Sequence, residues 1–213
     1  MIKHLMKTVG AALLFGLFTT ASAQPTLYVA GTHYTELPAP VRTNDASRVE
    51  VLEVFWYGCG FCFQFQPLVE NWAQEAPDYV DFQRFPAIWN DIMKVHAQAY
   101  FTAESLGVVD KVHEPIFNAI NLQNNRLQNE RQLAALFTQH GVTQEQFSEA
   151  FNSFQVRTKV NQTERRMRDY QIRSTPNVIV NGKYLVTSND AVRSQQEMLQ
   201  VVDFLVERER AAL

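Results

Sequence analysis

The stretch VFWYGCGFCFQFQP, residues 54–67, holds both cysteines of this 213-residue chain, Cys59 and Cys62, separated by two residues. A disulfide between them would close a very short loop, and the stabilisation that a disulfide gives grows with the length of that loop. The pair is therefore a poor structural cross-link. A metal site, a redox couple or no role at all remains, and the surrounding sequence must decide.

The first 23 residues, MIKHLMKTVGAALLFGLFTTASA, have the pattern of a cleaved secretory signal peptide. Lys3 and Lys7 give a positive start, residues 9–18 are apolar, and the small residues ASA predict cleavage before Gln24. A membrane anchor is disfavoured because the apolar run is shorter than the ~20 residues that a spanning helix needs. We therefore expect the mature protein in an oxidising compartment, where disulfides persist.

The predicted mature chain is mildly acidic, because the signal peptide removes two of the 19 basic residues and leaves 17 against 22 acidic ones. Its composition, 46% hydrophobic and 19% charged, is typical of one globular domain or of one domain with an insertion. The charge argues against nucleic acid as a partner. A basic cluster is interpreted as a solvated helix face: Lys159, Arg165, Arg166 and Arg168.

A closed zinc site needs four ligands, and the chain supplies only two cysteines. The histidines of the mature chain, which are His33, His96, His113 and His140, do not have the spacing of a metal-binding pair. We therefore expect no metal, and we favour a redox couple.

The cysteine motif is predicted to join a buried strand to a helix. Upstream, VEVLEVFWYG is rich in β-branched and aromatic residues, which indicates a central strand with parallel neighbours. Downstream, apolar residues recur at helical spacing, and Gly58 and Gly60 permit a tight turn between the two elements. This places Cys59 at the positive end of a helix, where a thiolate is stabilised, and Cys62 one turn later, facing inward. Pro67 should kink the helix.

The segment STPNVIVNGKYLV, residues 174–186, provides a second landmark. Pro176 precedes a short apolar strand, and Asn181-Gly182 predicts a two-residue hairpin turn before the next strand. Together with the strand, Cys-Xaa-Xaa-Cys and helix, this arrangement resembles thioredoxin. The resemblance implies that the Thr175–Pro176 bond is cis and packs beside the cysteines, although an ordinary proline at the start of a strand remains an alternative.

Residues 89–168 contain successive helical patterns and no convincing strand, after a strand predicted within residues 80–88. An all-helical domain inserted into a thioredoxin-like fold resembles the plan of the DsbA family, the bacterial periplasmic thiol–disulfide oxidoreductases. The predicted organisation is a signal peptide at residues 1–23, a discontinuous α/β thioredoxin-like domain at 24–88 and 169–213, and the helical insertion between them.

Two features depart from the family's usual pattern. The residues between the cysteines are Gly60 and Phe61, whereas proline and histidine are usual, and Thr175 stands where valine is usual. A Gly-aromatic pair with Thr-Pro is more similar to the DsbC isomerases. Those proteins carry an N-terminal dimerisation domain, and only about 25 mature residues precede the first buried strand here. We therefore expect a monomer.

Glu53 interrupts the apolar strand six residues before Cys59. Carboxylates are seldom fully buried without a partner, and the DsbA family carries a buried acid at the matching position. The resemblance implies that Glu53 exchanges a proton with Cys62. A surface-facing or lysine-paired glutamate at a strand edge is the alternative. Glu50, closer to the start of the strand, is expected to be solvated.

The resemblance implies a periplasmic oxidoreductase that transfers its Cys59–Cys62 disulfide to unfolded secreted proteins, with no dissolved cofactor and with reoxidation by a quinone-linked membrane protein of the DsbB type. Gly60 and Phe61 would tune the redox pair, while Thr175 and Pro176 would hold the substrate backbone. Two alternatives are an isomerase or reductase of the same fold and a thioredoxin-like chaperone without redox activity.

Overall fold

The computed structural model describes residues 27–213, so the predicted signal peptide lies outside the described residues. Within this range the chain forms a five-stranded sheet and seven helices, and none of these helices is long and apolar enough to cross a bilayer. The strands are β1 (Thr35–Glu36), β2 (Val49–Phe55), β3 (Val80–Pro86), β4 (Asn177–Val180) and β5 (Tyr184–Thr187). The helices are α1 (Gly60–Glu75), α2 (Asp91–Ser105), α3 (Val109–Asn121), α4 (Glu130–Gln139), α5 (Gln144–Phe151), α6 (Phe154–Asp169) and α7 (Gln195–Arg210).

Strand β2 lies inside the sheet, whose order is β1-β5-β4-β2-β3. All seven of its residues are buried, as its nearly continuous apolar sequence predicts. It runs parallel to β3 and antiparallel to β4. The expectation of parallel neighbours is therefore wrong on one side, because the chain returns to the sheet through β4 from the opposite direction.

Helices cover both faces of the sheet. On one face α1 and α7 pack against the sheet, and their core contains Phe65, Val201 and the β2 residue Val51. On the other face helices α2–α6 share a core with Leu52 and Ile179 of the sheet. The five helices between β3 and β4 thus interrupt a thioredoxin-like fold, as predicted, and they bury their apolar side chains against the same sheet.

The hairpin between β4 and β5 turns at Asn181 and Gly182, which have φ values of 49° and 62°. Positive φ at both positions is what a type I′ turn requires. A Cβ atom on Gly182 would lie 2.0 Å from the carbonyl oxygen of Val41, so the close approach of this neighbouring segment also demands glycine. After this turn, β5 leads the chain away from Pro176 and towards α7.

Glu50 is buried, with 1% of its surface exposed, so the expectation that it is solvated is wrong. One carboxylate oxygen accepts a hydrogen bond of 3.2 Å from the Asn44 N–H, and the other lies 3.7 Å from the guanidinium of Arg166 in α6. Arg166 also lies over the rings of Phe85 and Tyr170. The inserted helices cover this carboxylate, and for Arg166 the interpretation as part of a solvated face is wrong for the same reason.

Candidate redox site

Cys59 is the N-cap residue of α1, and its sulfur accepts a hydrogen bond of 3.2 Å from the Cys62 N–H. The turn between β2 and α1 is closed by a 2.9 Å hydrogen bond from the Cys59 N–H to the Trp56 carbonyl. Both cysteines are free thiols in this structure. The helix begins where the sequence predicts, and the positive end of its dipole lies at the Cys59 sulfur.

The surroundings of Cys59 stabilise its thiolate and lower its pKa to about 6. The largest contribution is a hydrogen bond from the Cys62 side chain, and partial burial acts in the opposite direction. The Thr175 side chain and the backbone N–H groups of Cys62 and Phe61 lower the pKa further. Cys59 is therefore mostly ionised at neutral pH, as a reactive thiol must be.

Cys62 has the opposite environment. It is completely buried in α1, at 0% exposure, and belongs to the same hydrophobic core as Val54, Phe55 and Tyr57. Burial raises the pKa of its thiol, and both its hydrogen bond to Cys59 and the charge of that neighbour raise it further. The structure thus gives one accessible cysteine that ionises readily and one enclosed cysteine that keeps its proton.

The Thr175–Pro176 peptide bond is cis and lies against the cysteines. The carbonyl oxygen of Thr175 is 3.5 Å from the Cys59 sulfur, within range of a hydrogen bond from the thiol. Pro176 is buried, Thr175 is half-buried, and β4 begins at the next residue. The predicted cis bond is confirmed, and Thr175 and Cys59 come together across 116 residues of sequence.

The two residues between the cysteines lie in the first turn of α1. The Phe61 side chain is 69% exposed. A Cβ atom on Gly60 would meet nothing within 4 Å, whereas one on Gly58 would lie 2.4 Å from the Trp56 ring. The tight position of this turn is therefore Gly58, whereas Gly60 leaves space for a side chain.

The two residues before Gly58 are bound to histidines of the inserted helices. The Trp56 indole N–H donates to Nδ1 of His96 at 3.0 Å, and the Tyr57 hydroxyl lies 2.8 Å from Nδ1 of His113. Burial lowers the pKa of both imidazoles, so both stay neutral at pH 7. Within residues 27–213 no group of three or more His, Cys, Asp and Glu side chains is arranged to hold a metal ion.

Glu53 is completely buried in β2, opposite Arg84 of β3 in the strand register. By the alternation of a strand it lies on the same face as Val51, the face that α1 covers. Its carboxylate is 3.5 Å from Arg84 Nε, an ion-pair contact, and neither oxygen has a hydrogen-bond partner among the described residues. Burial raises its pKa to about 7, although the charge of Arg84 opposes the shift.

Arg84 and Glu70 extend this charge group towards the surface, since the Glu70 side chain is 40% exposed, and sequence reasoning missed both. The Arg84 guanidinium bridges Glu53 to Glu70 of α1, with which it also forms an ion pair. Both residues line a cavity of about 840 Å³ between α1 and α3. To predict that Arg84 lies opposite Glu53, the register between the two parallel strands would have to be known. The hydrophobic pattern of the sequence alone does not determine that register.

Comparison with known proteins agrees with this architecture. Residues 84–200 match the family model of the DSBA-like thioredoxin domain. The chain is 36% identical over 201 residues to the thiol:disulfide interchange protein DsbA of Pseudomonas aeruginosa, an alignment that covers 94% of this chain and 93% of that protein. It belongs to the DsbA family. The DsbA of Azotobacter vinelandii is 37% identical over 200 residues, which cover 93% of each chain.

Solved DsbA structures share the fold. The crystal structure of Pseudomonas aeruginosa DsbA has a TM-score of 0.83 at 36% identity, with 87% of this chain and 96% of that chain covered. The DsbA of Xylella fastidiosa has a TM-score of 0.81 at 30% identity, with 87% and 99% covered.

Proposed function

We propose that the protein is a thiol–disulfide oxidoreductase that introduces disulfide bonds into secreted proteins. The observation that carries the proposal is the opposite treatment of the two cysteines. Cys59 is accessible and ionises with a pKa of about 6, whereas Cys62 is enclosed and holds its proton. A stabilised thiolate favours the reduced form of the couple, which makes the disulfide form a strong oxidant.

The exchange begins with the oxidised Cys59–Cys62 pair. A substrate thiolate attacks the Cys59 sulfur, the bond between the two cysteines breaks, and Cys62 leaves with the electron pair. A second substrate thiolate then attacks the substrate sulfur of this mixed disulfide, and Cys59 leaves as its stabilised thiolate. The substrate loses two electrons and gains a disulfide, while the protein gains two electrons and becomes the dithiol.

We assign to Glu53 the proton transfer that accompanies this exchange. Cys62 becomes a thiolate in a buried site where burial raises its pKa, so it must take up a proton. Glu53 lies on the sheet face that α1 covers, and its pKa of about 7 lets it give or take a proton near neutral pH. Arg84, its ion-pair partner, lines the cavity between α1 and α3, where protons can exchange with solvent.

Thr175 and Pro176 are proposed to hold the substrate backbone. They lie beside Cys59 and lead into β4, so an extended peptide can run alongside them with strand-like hydrogen bonds. Such contacts use backbone groups and accept many sequences, as an enzyme that acts on unfolded secreted proteins requires. Gly60 and the exposed Phe61 are proposed to tune the reactivity of Cys59 from the first turn of α1.

The cellular setting follows from the family and from the predicted signal peptide. We propose a periplasmic monomer whose dithiol is reoxidised by a quinone-linked membrane protein of the DsbB type, with no dissolved cofactor. An isomerase or reductase is the second candidate, and the Gly60-Phe61 pair is the observation that favours it. An oxidase acts from the disulfide form, and an isomerase acts from the dithiol form.

Equilibration of the purified protein with glutathione buffers distinguishes the two candidates. We expect the Cys59–Cys62 disulfide to be reduced at low ratios of reduced to oxidised glutathione, and the oxidised protein to form disulfides in reduced, denatured ribonuclease A. Faster repair of scrambled ribonuclease by the dithiol than oxidation by the disulfide would favour the isomerase. If the protein still assists the folding of secreted proteins after Cys59→Ala, it acts as a chaperone and its cysteines are not required.

A further inference from the structure

Gln195, the first residue of α7, reaches from the C-terminal helix to the redox motif. Its side-chain Nε2 donates a hydrogen bond of 2.7 Å to the carbonyl oxygen of Phe61, across 134 residues of sequence. Gln195 is half-buried, whereas its neighbour Gln196 is exposed. This contact lies in the first turn of α1, between the two cysteines.

The peptide group that receives this hydrogen bond is also a donor to the reactive sulfur. The Phe61 carbonyl and the Cys62 N–H belong to one planar peptide unit, and that N–H lies 3.2 Å from the Cys59 sulfur, to which it donates. A donor at the carbonyl polarises the unit and strengthens the N–H as a donor, because linked hydrogen bonds polarise one another. Gln195 is thus connected to the Cys59 sulfur through one peptide group.

The position of Gln195 is fixed by the start of α7. The Ser194 side chain caps the helix by accepting from the Glu197 N–H at 3.0 Å, and the Glu197 carboxylate accepts from the Arg193 N–H at 2.8 Å. Below this turn the apolar face of α7 is buried against the sheet. The amide of Gln195 is therefore presented from a rigid element.

The residues of the motif make this peptide group important for the stability of the Cys59 thiolate. Neither residue between the cysteines, Gly60 or Phe61, carries a side chain that can donate a hydrogen bond to Cys59. Apart from the Cys62 thiol and Thr175, backbone N–H groups supply the hydrogen bonds to the sulfur. A contact that strengthens one of these N–H groups acts directly on the stability of the thiolate.

We propose that Gln195 is a positioning residue of the redox site, which holds and polarises the Phe61–Cys62 peptide group and so strengthens its hydrogen bond to the Cys59 sulfur. The proposal rests on the thiol–disulfide exchange proposed for Cys59, and it adds a residue of the C-terminal helix to the groups that set the stability of the thiolate. The alternative is that Gln195 only joins α7 to α1. Other contacts already join these helices, among them a 2.7 Å hydrogen bond from the Trp72 indole to Asp203.

The test is titration of the Cys59 thiolate, followed by its ultraviolet absorbance, in the reduced forms of Gln195→Met and Gln195→Glu. Met keeps the size of the side chain and removes the donor, and we expect the pKa of Cys59 to rise by about half a unit, which is about threefold in the ionisation constant. The Glu variant should raise it more, because a carboxylate repels both the carbonyl and the thiolate. Gln196→Met and Gln196→Glu are the matched controls.

The glutathione equilibrium of the same variants provides a second readout that a purely structural contact would not change. Gln195→Met should shift it towards the disulfide by the same factor of about three, while both Gln196 variants stay closer to the wild type. A pKa equal to that of Gln196→Met would overturn the proposal, even if the melting temperature fell. The titration requires no substrate. If the pKa shifts as expected while the wild type fails to oxidise ribonuclease, the proposed function is wrong and the role of Gln195 stands.

Discussion

The outer and inner ends of the redox site hold protons in opposite ways. At the outer end, Cys59 is partly accessible, and hydrogen bonds lower its pKa to about 6. At the inner end, Cys62 and Glu53 are completely buried, and loss of solvation raises the pKa of both. The thiols of Cys59 and Cys62 have similar intrinsic acidity, and they differ here because Cys59 accepts hydrogen bonds from the Cys62 thiol and from N–H groups at the helix end, whereas burial deprives Cys62 of solvent.

The two ends of the site therefore have different roles in thiol–disulfide exchange. The outer end stabilises charge on the sulfur that meets the substrate, so Cys59 is a good leaving group. The inner end disfavours charge, so the Cys62 thiolate formed during exchange must be neutralised within the protein. The buried Glu53, with a pKa of about 7, is suited to that task, and Glu50 on the same strand is the natural comparison because its carboxylate already accepts a hydrogen bond.

The largest effects are expected when one end of the site is removed. Cys59→Ala should abolish oxidation of reduced ribonuclease, because the remaining Cys62 thiol is buried and protonated. Cys62→Ala should keep a reactive Cys59 and accumulate mixed disulfides, which mass spectrometry detects. The pKa of Cys59 in that variant should rise, because the largest stabilising hydrogen bond comes from the Cys62 side chain.

Alkylation of the reduced wild-type protein at mildly acidic pH checks the assignment without mutation. Peptide mapping should find the label on Cys59 first. Preferential labelling of Cys62 would show that the two ends of the site have been assigned the wrong way round.

The second largest effect concerns stability. The pKa of Glu53 is raised from 4.5 to about 7 on folding, so the folded state retains a proton that the unfolded chain releases. Below pH 4.5 the carboxyl group is protonated in both states, so its raised pKa does not lower the free energy of unfolding. The free energy of unfolding then falls as the pH rises towards 7, by about 3 kcal/mol in total, and stays constant above the folded pKa.

Glu53→Gln removes this titration, so its stability relative to the wild type should increase between pH 4.5 and pH 7 by up to that amount. Urea unfolding of the reduced proteins across this range measures the difference, in which the common contribution of Cys59 cancels. Glu50→Gln should show a smaller change of the same sign, because the Asn44 N–H and Arg166 stabilise its charged form. Parallel stability curves for wild type and Glu53→Gln would mean that Glu53 is not neutral in the folded state.

The third effect is kinetic. Glu53→Gln should slow, by about tenfold near pH 7, both the formation of the mixed disulfide and its release by attack of Cys62, because an amide cannot exchange the proton of Cys62 in either step. Stopped-flow mixing of the oxidised protein with a thiol peptide measures the rate, and Glu50→Gln is the matched control on the same strand. Equal rates for wild type and Glu53→Gln across pH would leave the buried acid with a purely structural role.

The sequence predicted the outer end of the site well, because its signals are local. Strand β2, the start of α1 and the hairpin at Asn181 all follow from short-range periodicity or turn chemistry. The cis bond before Pro176 came from the family resemblance. Burial of Glu53 also followed from its place in an apolar strand.

The missing parts depend on contacts between distant segments. Glu50 was misjudged because its cover comes from α6, more than 100 residues later, and nothing near Glu50 signals it. Arg84 required the register of two parallel strands, and the hydrogen bond of Gln195 required the docking of α7 on α1. The wrong direction expected for β4 beside β2 has the same origin, because a local sequence pattern identifies a strand better than it identifies the partner of that strand.

The smallest expected effect comes from Phe61→His, which adds a polar side chain to the outer end. An imidazole there can donate to the Cys59 thiolate or carry a positive charge beside it, and phenylalanine can do neither, so the pKa of Cys59 should fall. The fall should stay below one pKa unit, because residue 61 is 69% exposed and water screens its charge.

Since the pKa of Cys59 is already about 6, any further fall stabilises the reduced form at pH 7 by the full amount of the pKa change. The potential should become more oxidising by about 10 to 30 mV, given about 30 mV for each tenfold change in a two-electron couple. Thiolate titration and the glutathione equilibrium measure both quantities, with Phe61→Leu as the control that removes the ring without adding a donor. A lowered pKa with an unchanged potential would mean that stabilisation of the thiolate does not set the redox potential of this protein.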